Sequence, residues 1–226
     1  MQTKKFIVLA VLFLLPISVY MFFASGKDNF VNLATLTTNV GEMEAFQSVS
    51  GDSVRLKDRI TVLMFFGSDL EAKKANAFNL AHKIYKKNYQ FKEFQFVSVI
   101  APGQEATAIQ LKKDLAKIED PKNWHFVTGS QTATERLFKS LKSDLLLDQN
   151  GASDYVFIID KELKLRGRDD DEDVGLLYGF NAANYAEINN KMSDDIKIVL
   201  AEYRLALKKY KADRKDAFRD KIKDSK

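Results

Sequence analysis

The sequence predicts an α/β domain with a mixed central sheet flanked by helices, preceded by one membrane-spanning helix. Three observations predict it. Residues 60–66 form a short apolar run rich in β-branched and aromatic side chains, and they lead through Gly67-Ser68-Asp69 into a helical pattern. Such a run reads as a strand buried on both faces. A second strand pattern over residues 93–100 follows that helix, and a lysine-rich helical pattern over 104–117 follows the strand. That order implies a right-handed crossover and a parallel pair. Residues 155–160 and 163–168 are two further strand patterns joined tightly at Lys161-Glu162, which predicts an antiparallel pair.

Size and composition bound the rest. A length of 226 residues allows one domain of ordinary size plus a terminal segment, and 46% hydrophobic content supplies a core. Lys and Arg number 35 against 31 Asp and Glu, a mixed surface without the basic footprint of a nucleic-acid binder. The cysteine count is zero. That excludes disulfides, thiol redox chemistry and cysteine-ligated zinc or iron–sulfur sites.

At the N-terminus, Lys4 and Lys5 precede an uncharged run from Phe6 to Ala24. As a helix this run spans about 28 Å, close to a bilayer core. The lysines place the N-terminus in the cytoplasm and the remaining chain on the outer, periplasmic side of a bacterial-type cytoplasmic membrane. A cleaved signal peptide is the rival reading, because Ala24-Ser25-Gly26 offers small residues. The expected organisation is an anchor over 1–26, a linker over 27–44, the α/β domain over 45–207 and a charged helical extension or tail over 208–226.

Within the domain, residues 45–49 and 53–56 flank Gly51-Asp52 and predict a β-hairpin. Ser68 and Glu71 have capping-box spacing, so the helix after the central strand is expected to start there. Ala77, Phe78, Ala81, Ile84 and Tyr85 mark its apolar face. Ile109, Leu111 and Leu115 mark that of the next helix, and residues 132–141 form a short amphipathic one. Asp169, Asp170, Asp171, Glu172 and Asp173 read as a loop, a solvated hairpin insertion. Ser193-Asp194-Asp195 is expected to cap a terminal helix with Ile196, Val199, Leu200, Tyr203 and Leu207 on one face. Trp124 and the Phe residues are assigned to the core.

Two parallel strands followed by an antiparallel pair is the order of a thioredoxin-like sheet. The residues also resemble the Sco/SenC family, membrane-anchored thioredoxin-fold proteins that handle copper during respiratory oxidase assembly. Phe65-Phe66-Gly67-Ser68 is similar to the family's Phe-Phe-Thr-Ser before its Cys-x-x-x-Cys. Trp124-His125-Phe126-Val127-Thr128-Gly129 is similar to its Trp-x-Phe-Leu-Thr-Gly. Phe157-Ile-Ile-Asp160 with Leu165-Arg166-Gly167 is similar to its Leu-Ile-Asp strand and following Arg-Gly. The resemblance covers roughly residues 46–207.

The ligands do not carry over. Matching the motifs puts Asp69 and Lys73 at the family's two cysteines and Ala152 at its histidine. Copper(I) needs soft donors or imidazole, and an ammonium is no ligand. Asp69 reads as a carboxylate favouring the start of a helix, with a hard-metal ligand as the sharper alternative. The stretch 169–173 offers clustered oxygens for a hard cation or a surface for a basic partner, but lacks EF-hand spacing. His82 and His125 show no pairing. No catalytic, cofactor-binding or metal residue is assigned, and no cofactor is expected. The resemblance implies a membrane-anchored, non-catalytic protein acting through protein–protein contacts, with no nucleic-acid partner. The alternative is a hard-metal or small-ligand binder using Asp69 or the acidic stretch.

Overall fold

A computed structural model of the chain describes residues 2–25 and 32–223. It comprises two units, Met1–Val31 and Asn32–Lys226. In the first, α1 (Gln2–Ser25) is one helix carried through Pro16. Among the described residues no helix is long and apolar enough to cross a membrane. The side chains at 2, 3, 6, 7, 10 and 22–25 of α1 lie outside the described ones.

The second unit is organised around β3 (Ile60–Gly67), buried along its whole length. Residues alternate between the two faces of a strand. Val62, Met64 and Phe66 therefore enter one core, and Leu63 and Phe65 the other. On one side of β3 lie β4 (Phe94–Ile100), parallel to β3, and β5 (Trp124–Thr128), parallel to β4. On the other side, β6 (Ala152–Ile159) and β7 (Leu165–Asp171) run antiparallel. With β1 (Ala34–Thr37) and β2 (Gln47–Ser48) at its edges, the sheet order is β1-β7-β6-β3-β4-β5-β2, with the short β8 (Gly175–Leu177) on β7 and β9 (Phe180–Asn181) on β6.

Helices cover both faces. α2 (Lys74–Leu80) passes through a π-helical turn at Ala81–Tyr85 into α3 (Lys86–Asn88). It shares a face with α4 (Glu105–Leu115) and with α7 (Ser193–Lys223), which bury Leu111, Leu115, Ile196, Val199 and Leu200 against the sheet. α5 (Gln131–Ser140) buries Leu137 and Phe138 on the opposite face. Trp124 is fully buried, and its indole N–H donates to Ser98 Oγ at 2.9 Å.

Six expectations are corrected. The hairpin around Gly51 does not form: β2 (Gln47–Ser48) instead pairs with Val127 and Thr128 of β5. The stretch read as a linker contains β1 (Ala34–Thr37), which pairs with β7, and it buries Leu33, Val40 and Met43. Arg166 ties this segment down. Its guanidinium reaches Asp160 Oδ2 at 3.2 Å, Glu202 Oε2 at 2.8 Å and the Leu33 carbonyl at 3.2 Å.

The terminal helix is not capped at Ser193. The helical path begins at α6 (Tyr185–Glu187), where the Asn184 side chain accepts from the Ala186 and Glu187 amides. A π-helical turn, Ile188–Met192, then runs straight into Ser193. Asp195 is buried against Arg168, with contacts of 2.8 and 2.9 Å. The acidic stretch forms the expected hairpin, but it is not solvated throughout. Asp169, Asp170 and Asp171 complete β7, which turns back into β8. Asp171 faces inward, and its Oδ1 accepts from Lys191 at 2.7 Å. Ile109 and Leu207 are exposed, while Ala108 takes the buried position expected of Ile109.

Candidate functional site

The carboxyl end of β3 is where this topology changes direction, with β4 and β5 to one side and β6 and β7 to the other. In open α/β sheets that point carries the ligand crevice. Gly67 closes β3 with φ +60°, and a Cβ there would lie 2.1 Å from the Asn150 carbonyl oxygen. Only glycine permits this approach. The Ser68 amide then donates to that carbonyl at 2.9 Å, and the Ser68 hydroxyl reaches Asn150 Oδ1 at 3.3 Å. The end of β3 is thus stitched to the turn that leads into β6.

This stitching explains why the Ser68–Glu71 capping box is not formed. Both Ser68 groups are spent on Asn150, and Glu71 lies beside Lys74 at 3.4 Å. Asp69 holds only the turn ahead of the helix, its Oδ1 accepting the Ala72 amide at 3.2 Å, and the N-cap of α2, Lys73, makes no side-chain capping bond. α2 begins only at Lys74, after one tight turn.

The structure gathers the matched positions around this junction. Ala152, opposite Phe66 in the sheet, is buried and offers no donor atom. Lys73 is 15% exposed at its side chain, and its Nζ lies 2.8 Å from Asp154 Oδ1 on β6. The Asn76 amide donates to the same oxygen at 2.8 Å. The Lys73 ammonium holds the Asp154 carboxyl below its ordinary range against the opposing effect of burial, and Asn76 adds to it. An ion pair therefore links the helix-leading turn to β6. Asp154 is the residue that sequence reasoning missed. Its lone acid before an apolar strand carries no signal until the sheet register brings it to Lys73.

The remaining candidates lie elsewhere. His82 is exposed on the π-helical turn. His125 is on β5, where burial first, and then Lys112, lower its pKa. Burial pushes Asp171 up, but Lys191 and the Asp173 amide outweigh it and leave the carboxyl below its ordinary value. Among the described residues no three His, Asp or Glu side chains group as a metal site.

Beside the junction runs a groove of about 640 Å³. Its floor includes Val99, Ile100 and Phe138, one wall is α5, and the other is the segment from Ser143 to Gly151. The sequence marks it only by three successive leucines, Leu145 to Leu147, between polar residues.

A β-α-β pair of parallel strands, an antiparallel pair beside the first of them and helices on both faces define a thioredoxin-like fold. No family model and no curated protein sequence matches the chain. Among solved structures, an Aquifex aeolicus VF5 protein with a suggested role in electron transport aligns at TM-score 0.50 and 18% identity, over 73% of this chain and 98% of that one. At that identity the likeness shows the fold alone. Arabidopsis thaliana ScoI with copper bound aligns at TM-score 0.42 and 16% identity, over 70% of this chain and 97% of that one. Bradyrhizobium japonicum ScoI with copper bound aligns at 0.43 and 10%, over 72% and 99%.

Proposed function

We propose that this chain is a membrane-anchored, Sco-like protein that has exchanged metal ligation for a structural ion pair and works by protein–protein contact. The setting proposed is respiratory oxidase assembly or metal handling in the cell envelope. One observation carries the reading: Lys73, at the position of a metal-binding thiolate in the resembled family, is bound to Asp154 at 2.8 Å. A cation fixed there repels a metal ion, and a chain with no cysteine has no thiolate to offer. The motifs around Phe65, Trp124 and Asp160 support the family assignment, and the uncharged run in α1 supports the anchor.

Co-purification of the full chain from detergent-solubilised membranes tests this. Recovery with an oxidase subunit or an envelope copper protein is expected. Recovery of the intact chain solely in the soluble fraction would refute the anchor, and recovery from membranes without any such partner would refute the setting.

A further inference from the structure

The groove wall from Ser143 to Leu147 belongs to no strand or helix; it bends at Asp144 and then runs on without a turn through Leu147. Its burial alternates residue by residue: Ser143, Leu145 and Leu147 are half-buried, while Asp144 and Leu146 are exposed, Leu146 at 83%. Past the bend at Asp144, that period of two is the signature of extended chain over Leu145 to Leu147. Among the described residues none of its main-chain N–H or C=O groups has a hydrogen-bond partner. Both ends are fixed. Lys142 turns at φ +52° just before the segment. Just after it, Asp148 accepts the Asn150 and Ala152 amides at 2.8 Å each. A segment held at both ends with its main-chain groups free is already ordered for pairing.

We infer that Ser143 to Leu147 receives an extended apolar peptide from a partner protein as an added β-strand in the groove. Main-chain hydrogen bonds supply affinity in this mode, and alternate side-chain pockets supply selectivity. The three residues past the bend span about 10 Å. Alternate apolar side chains of the ligand descend toward Ile100 and Phe138. Two polar features refine the ligand. Ser143 Oγ is buried at the groove without a partner and takes a peptide N–H or C=O. Lys139, on the facing wall, has no carboxylate within ion-pair distance among the described residues. Glu135, one turn before it on α5, is engaged by Gln131 at 3.0 Å. The peptide therefore carries an acidic residue or a free carboxylate at the Lys139 end. The inference rests on the reading of the chain as a contact protein and names where the contact is made.

Selection of phage-displayed random heptapeptides on the full chain in detergent micelles tests it. Enriched sequences are expected to carry apolar residues at i and i+2, an acid toward one end and no central proline. A synthetic enriched peptide should slow amide hydrogen exchange across residues 143–147 at least tenfold. N-methylation at its alternate amides, or Lys139→Glu in the protein, should weaken binding at least tenfold. Absence of enrichment, helical i, i+3 spacing, or protection confined to other segments would overturn the proposal. Protection that rises with protein concentration alone would assign the groove to a second copy, which also overturns it. None of these outcomes bears on copper exclusion at Lys73, which is measured separately by metal titration.

Discussion

Replacing Lys73 by methionine removes the cation that links α2 to β6 while keeping most of the apolar stem. Asp154 then retains Asn76 as its one side-chain donor. The magnitude follows from burial. Lys73 is 15% exposed at its side chain and Asp154 47%, so the pair is neither a surface ion pair nor a fully buried one. Exposed pairs contribute about 0–1 kcal/mol, and stripping a fully buried partner costs about 3–5 kcal/mol. A half-open carboxylate places the loss near 1 kcal/mol. The assay is a double-mutant cycle of Lys73→Met, Asp154→Asn and both together, by urea denaturation of the full chain in detergent. A coupling of about 1 kcal/mol is expected at neutral pH. The carboxyl of Asp154 sits below its ordinary value of 3.8 in the folded chain. Its contribution is thus complete above that value and lost as pH falls through the lower folded value. Coupling absent at neutral pH, or unchanged once the carboxyl is protonated, would refute the reasoning.

Gly67→Ala forces a side chain into left-handed backbone against the Asn150 carbonyl, and it should cost about 2 kcal/mol or more in denaturant stability. Asn184→Ala should cost about 1 kcal/mol as the loss of a true helix cap. Ser68→Ala, by contrast, should stay within about 0.5 kcal/mol, since its hydroxyl contact with Asn150 is exposed. Arg166→Met strands the buried Asp160 carboxylate and should cost about 3–5 kcal/mol, read from the same unfolding curves.

What was legible in the sequence was what is local. Residues 60–66, 94–100 and 155–159 fall in strands because a doubly buried strand must be predominantly apolar, and that shows in composition. The short edge strands were not legible. β1 and β2 owe their existence to partners far along the chain, and residues such as Gln47-Ser48 carry no strand signal of their own. Caps failed for a similar reason. Ser68 has the right spacing, but its groups are claimed by Asn150, 82 positions away. Ser193 likewise has cap chemistry, but a π-helical turn enters it from the N-terminal side. In the acidic stretch, composition suggested solvent exposure throughout, whereas the strand pleat turns Asp171 inward to Lys191. For the site, the sequence placed Asp69, Lys73 and Ala152 together through the resemblance alone. Asp154 and the unpaired segment from Ser143 to Leu147 emerge only from the three-dimensional register.

The measurement that bears most directly on the account is a competition titration of the full chain with Cu(I) against a chromogenic chelator, run beside the variant Asp69→Cys, Lys73→Cys, Ala152→His. Ala152 is buried, so the histidine must displace neighbours, and circular dichroism is needed to confirm that the variant remains folded. The unmodified chain should leave the chelator saturated, and the folded variant should withdraw one equivalent of copper. Withdrawal of copper by the unmodified chain would contradict the exchange of ligation for the Lys73–Asp154 pair, and a folded variant that binds none would contradict the positional match.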